Sequence, residues 1–66
     1  MSIGKNLQDL RKKAGYTQEG LAEKVGIGRS MLAQIERGTK TISLPLADVV
    51  ADELHCSIYD FLDKKG

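Results

Sequence analysis

The sequence predicts a compact all-α domain of five short helices, and three observations support that prediction. Apolar residues recur at helical spacing along the whole chain, and no stretch alternates between apolar and polar residues over the length of a strand. Helix-capping residues stand at the ends of the apolar stretches, and the seven glycines are interpreted as punctuation between helices. With 66 residues the chain has room for one domain, spanning residues 1–66, without a linker or an internal repeat.

The first two helices follow from their apolar stripes and their caps. Ser2 can cap the first helix, and Gly15 can end it in the left-handed conformation. Its inward stripe is predicted to consist of Ile3, Leu7, Leu10 and Ala14. Thr17 then caps a second helix, which ends at Gly26. The residues that face inward from this second helix are predicted to be Leu21, Ala22 and Val25.

The third helix is predicted from Arg29 to Arg37, and with the second it forms a helix-turn-helix over residues 18–37. Two helices joined by a tight turn pack closely only where the residue at their crossing is small, and Ala22 meets that need. Gly26 supplies the positive φ that the turn requires. The apolar residues that anchor the third helix to the rest of the domain are Ile27, Leu32 and Ile35.

Two further helices complete the predicted domain. Ser43 caps the fourth, and Pro45 lies in its first turn, where the missing N–H costs little. The inward stripe of the fourth helix is predicted to consist of Leu44, Ala47, Val50, Ala51 and Leu54. Ser57 caps a short fifth helix, and a short tail follows over residues 63–66. The apolar residues of the fifth helix are Ile58, Phe61 and Leu62.

Composition argues against several classes of protein. Cys56 and His55 are the only cysteine and histidine, so one chain can build neither a disulfide framework nor a four-ligand zinc site, and no metal or cofactor is expected. No apolar run approaches the roughly 20 residues of a membrane span, and the start lacks a signal-peptide pattern, so a cytoplasmic setting without a membrane partner is expected. No set of acid, base and nucleophile can be assembled, which predicts that the chain is not an enzyme and has no catalytic residues.

Charge is unevenly distributed along the chain, although the net charge is only +1. Residues 1–40 carry eight basic and four acidic side chains, a net charge of +4, whereas residues 41–66 carry two basic and five acidic ones, a net charge of −3. A basic half suits a polyanionic partner, and an acidic half would face away from that partner.

Four short motifs lie in and around the helix-turn-helix: Thr17-Gln18-Glu19, Leu21-Ala22, Val25-Gly26-Ile27 and Ile35-Glu36-Arg37-Gly38. They are similar to those of the Cro/repressor-type helix-turn-helix regulators, the XRE family, and the similarity extends from Ile3 to Leu62. The resemblance implies a compact five-helix lambda-repressor-like DNA-binding domain of a bacterial or phage-encoded transcriptional regulator, usually a homodimer on a palindromic operator. Phage repressors and restriction–modification controller proteins both fit these motifs.

In such regulators the start of the second helix of the motif enters the major groove of double-stranded DNA. Arg29 can bind guanine O6 and N7 with two hydrogen bonds, and Gln34 can pair with adenine N6 and N7. The alternative is that Arg29 and Gln34 are merely solvated on an exposed helix surface. The complete set of expected base contacts, which are the outward positions near the start of the third helix, is Gly28, Arg29, Ser30, Ala33 and Gln34.

Contacts to DNA phosphates are expected at three residues. Gln18 begins the second helix, where free N–H groups and the helix dipole favour an anion, and the resemblance implies that the matching glutamine contacts the DNA backbone. Arg37 and Lys40 border the end of the third helix and are the other two expected phosphate contacts. The basic residues interpreted as solvated are Lys12, Lys13 and Lys24.

Arg11 and Glu36 are interpreted as structural despite their charge. Each directly follows an inward residue, so each lies at the edge of the buried side of its helix. The resemblance implies that the matching residues form a largely buried ion pair between the first and third helices. Removing one partner of such a pair costs roughly 3–5 kcal/mol.

A homodimer is expected because one helix-turn-helix reads only a few base pairs, and each mismatch costs only about 1–3 kcal/mol. Two copies spaced by about one helical turn, ~34 Å, would read two half-sites. The residues expected to form the dimer interface are Leu46, Val49, Ile58, Tyr59 and Leu62, with packing inside one subunit as the alternative.

One alternative function stays open. A helix-turn-helix can serve chiefly to hold a protein, as in an adaptor or an antitoxin. DNA binding through several phosphates weakens steeply with added salt, and this dependence separates the two functions. The chain has no room for an effector domain, so no small-molecule effector is expected.

Overall fold

The computed structural model describes residues 3–61, which form four α-helices and one 3₁₀ turn. Their bounds are Ile3–Lys13 for α1, Gln18–Val25 for α2, Arg29–Arg37 for α3, Leu44–Glu53 for α4 and Ile58–Asp60 for the 3₁₀ turn. No strand occurs between residues 3 and 61, which confirms the predicted all-α class. Within the same range, every helix is too short and too polar to cross a membrane.

The ends of the helices follow the caps predicted from the sequence. Thr17 Oγ1 accepts a hydrogen bond from the backbone N–H of Gly20 at 2.9 Å, and Ser43 Oγ accepts one from Leu46 at 3.3 Å. Ser2, the cap predicted for the first helix, lies outside the described residues. The glycines that follow α1, α2 and α3 in the left-handed conformation are Gly15, Gly26 and Gly38.

The core is formed by one buried side of each helix and by the residue that follows the 3₁₀ turn. α1 lies across α3, and α2 packs against both α3 and α4. The buried apolar residues are Leu7, Leu21, Ala22, Leu32, Ile35, Ala47, Val50, Ala51, Leu54 and Phe61. Ile27, predicted as an anchor of α3, is half-buried and packs against this core.

Three residues predicted to face inward are instead exposed. Leu44 is 73% exposed because it opens α4 one turn before the first buried residue of that helix. Ala14 is exposed because α1 ends at Lys13 and leaves it in the following turn. Ile3 is exposed at the first turn of α1. The apolar stripes predicted for α1 and α4 are therefore shorter in the structure.

The interpretation of every glycine as helix punctuation is wrong for Gly4 and Gly20, which lie inside α1 and α2. Gly4 is buried where α1 crosses α3, and a Cβ atom added there would lie 2.3 Å from the carbonyl oxygen of Ile35 and 2.6 Å from that of Glu36. The two helices thus meet backbone to backbone. Only glycine allows this separation.

The fifth predicted helix is a single 3₁₀ turn in the described part of the chain. Ser57 caps it as predicted, and the Asp60 carboxylate accepts a hydrogen bond from the backbone N–H of Ser57 at 2.9 Å. This reciprocal capping closes one turn, and a run this short favours 3₁₀ over α geometry. Asn6 Nδ2 then donates to the carbonyl oxygen of Phe61 at 2.6 Å, which ties the turn to α1.

His55 is strained at the end of α4. Its φ is 57°, and it is the one non-glycine residue with positive φ between residues 3 and 61. The backbone N–H of Cys56 donates to the carbonyl oxygen of Ala51 at 2.9 Å, a pattern in which glycine normally precedes the donor. The left-handed conformation costs a residue with a Cβ atom about 1–2 kcal/mol.

Replacing His55 with glycine is expected to raise the free energy of unfolding by roughly 0.5–1 kcal/mol, because relief of strain exceeds the entropy that glycine adds to the unfolded chain. Urea denaturation followed by circular dichroism measures the change. The control is His55→Ala, which removes the imidazole and keeps the strained Cβ. Equal stability of the glycine and alanine variants would contradict this account.

Candidate nucleic-acid interface

The turn between α2 and α3 exposes the start of α3. Gly26 leaves α2 with φ of 81°, and the N–H of Ile27 donates back to the carbonyl oxygen of Ala22 at 2.9 Å. α3 begins two residues later, with its buried side held by Leu32 and Ile35. The opposite side of α3 therefore points away from the core over its whole length.

None of the five residues predicted to contact bases is buried. Gly28, Arg29 and Ser30 are exposed, and Ala33 and Gln34 are half-buried. The Arg29 guanidinium has no ion-pair partner among residues 3–61, so its donors are available to a ligand. This placement leaves the predicted contact side of α3 open to an incoming duplex.

Behind this surface, Arg11 and Glu36 form a buried ion pair between α1 and α3. Arg11 Nε donates to Glu36 Oε2 at 2.7 Å, and Arg11 Nη2 donates to Glu36 Oε1 at 3.2 Å. The two residues are 6% and 8% exposed. Arg11 Nη1 also donates to the carbonyl oxygen of Tyr16 at 2.7 Å, which fixes the turn that precedes α2. Arg11 and Glu36 thus join α1, α3 and the turn before α2. This agrees with the structural role that the sequence predicts for them.

Gln18 is hydrogen-bonded to this ion pair. The sequence predicts the ion pair but not this hydrogen bond. Gln18 Nε2 donates to Glu36 Oε1 at 3.0 Å, so one of its two amide hydrogens is used inside the molecule. Its second amide hydrogen and its carbonyl oxygen have no partner between residues 3 and 61. A buried carboxylate therefore sets the orientation of the side chain predicted to meet a phosphate.

Two surface clefts meet at Gln18. One lies between α1 and α3 and is lined by Gln8, Gln18, Ala33, Glu36 and Arg37. The other again includes Gln8 and Gln18, together with Lys12 and Arg29. Arg37 thus lines one of the two clefts that meet at Gln18, and Arg29 lines the other. Lys40 does not join them, because it lines a separate hollow with Ile3 and Ile42.

Two contacts outside this surface were missed because nothing in a single sequence links residues so far apart. The Tyr16 hydroxyl donates to Glu53 Oε2 at 2.5 Å, across 37 residues, and joins the turn before α2 to the end of α4. This hydrogen bond to the Glu53 carboxylate raises the pKa of Tyr16. Asn6 reaches Phe61 across 55 residues in the same way. Neither pair could be inferred from spacing.

The residues predicted for a dimer interface divide into three groups. Val49 and Tyr59 are 49% and 70% exposed. Leu46 and Ile58 are half-buried and pack against the core of the same chain. Leu62 lies outside the described residues. Val49 shares a shallow depression with Asp48 and Asp52, so this part of the surface of α4 is apolar and acidic.

Two further features concern the residue types that bind metal ions and the cysteine. Residues 3–61 contain no group of three histidine, cysteine, aspartate or glutamate side chains that could hold a metal ion. Cys56 is half-buried against the core, and burial together with the nearby Asp60 carboxylate raises the pKa of its thiol. A raised pKa disfavours the reactive thiolate.

The chain resembles known proteins over most of its length. A family model described as Helix-turn-helix (HTH_3) matches residues 7–61. YazB of Bacillus subtilis (strain 168), described as an uncharacterized HTH-type transcriptional regulator, is 43% identical over 54 residues, which are 82% of this chain and 78% of YazB. Antitoxin PezA of Streptococcus pneumoniae is 38% identical over 60 residues, which are 91% of this chain and only 38% of PezA.

The fold is also found in a solved complex with DNA. SinR, described as the master regulator for biofilm formation, has been crystallised in complex with DNA. Its structure superimposes with a TM-score of 0.86 and 37% sequence identity, over 92% of this chain and 98% of that one. SinR therefore has the same arrangement of helices in its complex with DNA.

Proposed function

Because the chain belongs to the helix-turn-helix family HTH_3, we propose that it is a sequence-specific, double-stranded DNA-binding transcriptional regulator. The observation that carries the proposal is the exposed start of α3, which Leu32 and Ile35 hold from behind. An α-helix presented in this way fits the major groove, where each base pair shows a distinct pattern of donors and acceptors. The structural similarity to SinR, which was crystallised with DNA, supports the same function.

Base recognition is assigned to the exposed side of α3. Arg29 is well suited to guanine, because its planar guanidinium can donate two hydrogen bonds to O6 and N7. Gln34, five residues further along, can pair with adenine N6 and N7. The remaining positions contribute less, since Ser30 discriminates weakly, Ala33 can only pack on a thymine methyl group, and Gly28 has no side chain.

Phosphate binding is assigned to residues that flank α3. Gln18 lies at the first turn of α2, with its amide oriented by Glu36 and one amide hydrogen still free. Arg37 shares a cleft with Gln18 and has no ion-pair partner among residues 3–61. Lys40 is exposed just beyond α3 and would contribute a more distant contact. Such contacts set the register of the protein on the duplex and carry no sequence information directly.

A homodimer on a palindromic operator would supply the remaining specificity. Two copies related by a two-fold axis read twice the number of base pairs, and the half-site spacing follows from the dimer geometry. Among the residues predicted for this interface, Val49 and Tyr59 are exposed in one chain and so available to a partner. Asp48 and Asp52 beside Val49 would repel their counterparts in the partner, so added salt would strengthen this dimer while it weakens DNA binding.

Replacing Val49 with aspartate is expected to leave the chain folded and to convert the dimer into a monomer, because a charge would enter the apolar centre of the interface. Analytical ultracentrifugation measures the change in mass. Val49 is a better test position than Leu46, which also supports the core. The matched control is Ile3→Asp, which introduces the same charge at an exposed aliphatic residue on α1. A dimer of unchanged stability in Val49→Asp would exclude this surface.

The proposed function is tested by selecting bound sequences from a random pool of DNA duplexes. The expected result is a palindromic consensus whose two half-sites are about one helical turn, ~34 Å, apart. The affinity for the selected duplex should fall steeply and log-linearly with salt concentration. Recovery of unselected sequences, bound no better than the starting pool, would contradict sequence-specific recognition.

A second candidate function follows from the similarity to antitoxin PezA, whose matched part is 38% of its length. On this alternative the domain serves chiefly to hold a protein partner, as an adaptor or an antitoxin. Binding of a protein through an apolar surface depends far less on salt than binding to DNA phosphates. A chain with no salt-dependent affinity for any duplex, and with a stable protein partner, would favour this second function.

A further inference from the structure

α1 contributes an open polar surface to the cleft at the start of α2. Gln8 and Lys12 are one turn apart on α1, so their side chains lie on the same side of that helix. Both line the cleft that also contains Gln18 and Arg29. From the sequence alone Lys12 is one of three lysines interpreted as solvated. The structure separates it from the other two, which line none of the clefts described above.

The cleft contains positively charged and hydrogen-bond-donating side chains that could bind an anion. Neither the Lys12 ammonium nor the Gln8 carboxamide has an ion-pair or hydrogen-bond partner among residues 3–61. The charge of Arg11, which also lines the cleft, is neutralised by Glu36. The free charges that remain are those of Lys12 and Arg29 against one carboxylate, Glu19. The side chains that line this cleft therefore leave it with a net positive charge.

We propose that Lys12 and Gln8 bind a DNA phosphate from α1, so that the duplex backbone is held by α1 as well as by the residues beside α3. The proposal rests on the proposed function. Lys12 would supply the charge, and Gln8 would supply an N–H donor on the same side of the helix. One strand would then be held at the cleft while the start of α3 occupies the adjacent major groove.

Lys13 is a matched control for Lys12. The two lysines are adjacent in the last turn of α1, where both interact favourably with the helix dipole. Both are exposed, and both carry the same charge. Lys13 differs in direction, because it lies four residues after Asp9 on a side of α1 that faces away from the cleft. A loss common to both variants therefore reports helix stability or net charge, and a loss confined to Lys12 reports the contact.

The test measures the dissociation constant of the 66-residue chain for its selected duplex at salt concentrations between 50 and 200 mM, by fluorescence anisotropy. Lys12→Ala is expected to reduce the slope of log affinity against log salt by about 1, the value for one phosphate contact. Lys13→Ala is expected to leave the slope unchanged. Gln8→Ala is expected to weaken binding several-fold at every salt concentration without changing the slope, because it removes a neutral donor.

The outcomes separate this proposal from the function on which it rests. In one outcome the unaltered chain binds its duplex with a steep salt dependence, and Lys12→Ala and Lys13→Ala show the same slope of log affinity against log salt. Lys12 then makes no contact with the DNA backbone, and only this proposal is overturned. If the unaltered chain binds no duplex at the lowest salt concentration, the proposed function fails first. Circular dichroism of each variant shows that the comparison is made between folded proteins.

Discussion

Replacing Glu36 with alanine is expected to lower the free energy of unfolding by about 3–5 kcal/mol. The substitution leaves the Arg11 guanidinium 6% exposed and without its carboxylate, at the contact between α1 and α3. Gln18 loses its hydrogen-bond acceptor at the same time. Domains of this size are stable by roughly 3–10 kcal/mol, at about 0.05–0.15 kcal/mol per residue, so the expected loss is a large fraction of the total and would unfold a domain at the lower end of that range.

Urea denaturation followed by circular dichroism measures this loss. The matched control is Asp9→Ala, which breaks the ion pair between Lys5 and Asp9 on the surface of α1, where both side chains are more than 60% exposed. Exposed pairs of this kind contribute less than about 1 kcal/mol. If Glu36→Ala does not fold, the double variant Arg11→Met, Glu36→Met should recover a folded chain, because no buried charge is left unpaired. Similar losses from Glu36→Ala and Asp9→Ala would contradict the role of the ion pair.

Replacing Gly4 with alanine is expected to lower the free energy of unfolding by about 1–3 kcal/mol, because the new methyl group must push α1 away from α3. The added Cβ would lie within 2.6 Å of two carbonyl oxygens, and backbone atoms cannot turn aside as a side chain can. The same movement would stretch the contact between Arg11 and Glu36, which joins the same two helices.

The sign of the change in unfolding free energy decides the Gly4→Ala test. Alanine in the interior of a helix is more favourable than glycine by about 1 kcal/mol when nothing opposes it. Without the close contact, the variant would therefore be more stable than the unaltered chain. Thermal or urea denaturation distinguishes the two outcomes directly, and an increase in stability would show that α1 and α3 are further apart than described.

Features of the fold that depend on local sequence could be predicted, and those that depend on distant residues could not. α3 begins and ends at the predicted residues, and it is capped at its end by Gly38, whose left-handed conformation is a local property of that residue. Ser57 was predicted correctly as a cap. The element that follows it is a 3₁₀ turn and not a helix, because its length depends on the residues that pack around it. Gly4 was misread for the same reason, since its role appears only when α3 is placed beside it.

The candidate site shows the same division. Helical periodicity places Ser30 away from Leu32 and Ile35, and Arg29 stands in the first turn of α3, so the exposure of both could be anticipated. The attachment of Gln18 to Glu36 could not, because it requires the start of α2 to lie against the end of α3. Lys12 and Lys13 are equivalent in sequence terms, and only their directions on α1 distinguish them.

The most direct test of the central claim, that the exposed start of α3 reads base edges, is duplex selection repeated with Arg29→Ala. The preference at one base pair in each half-site should disappear while the other positions keep theirs, with a loss of about 1–3 kcal/mol in discrimination. Gln18→Ala, which removes a backbone contact, should instead weaken all duplexes about equally. An Arg29→Ala variant that selects the same consensus at every position would show that α3 does not read the DNA through this residue.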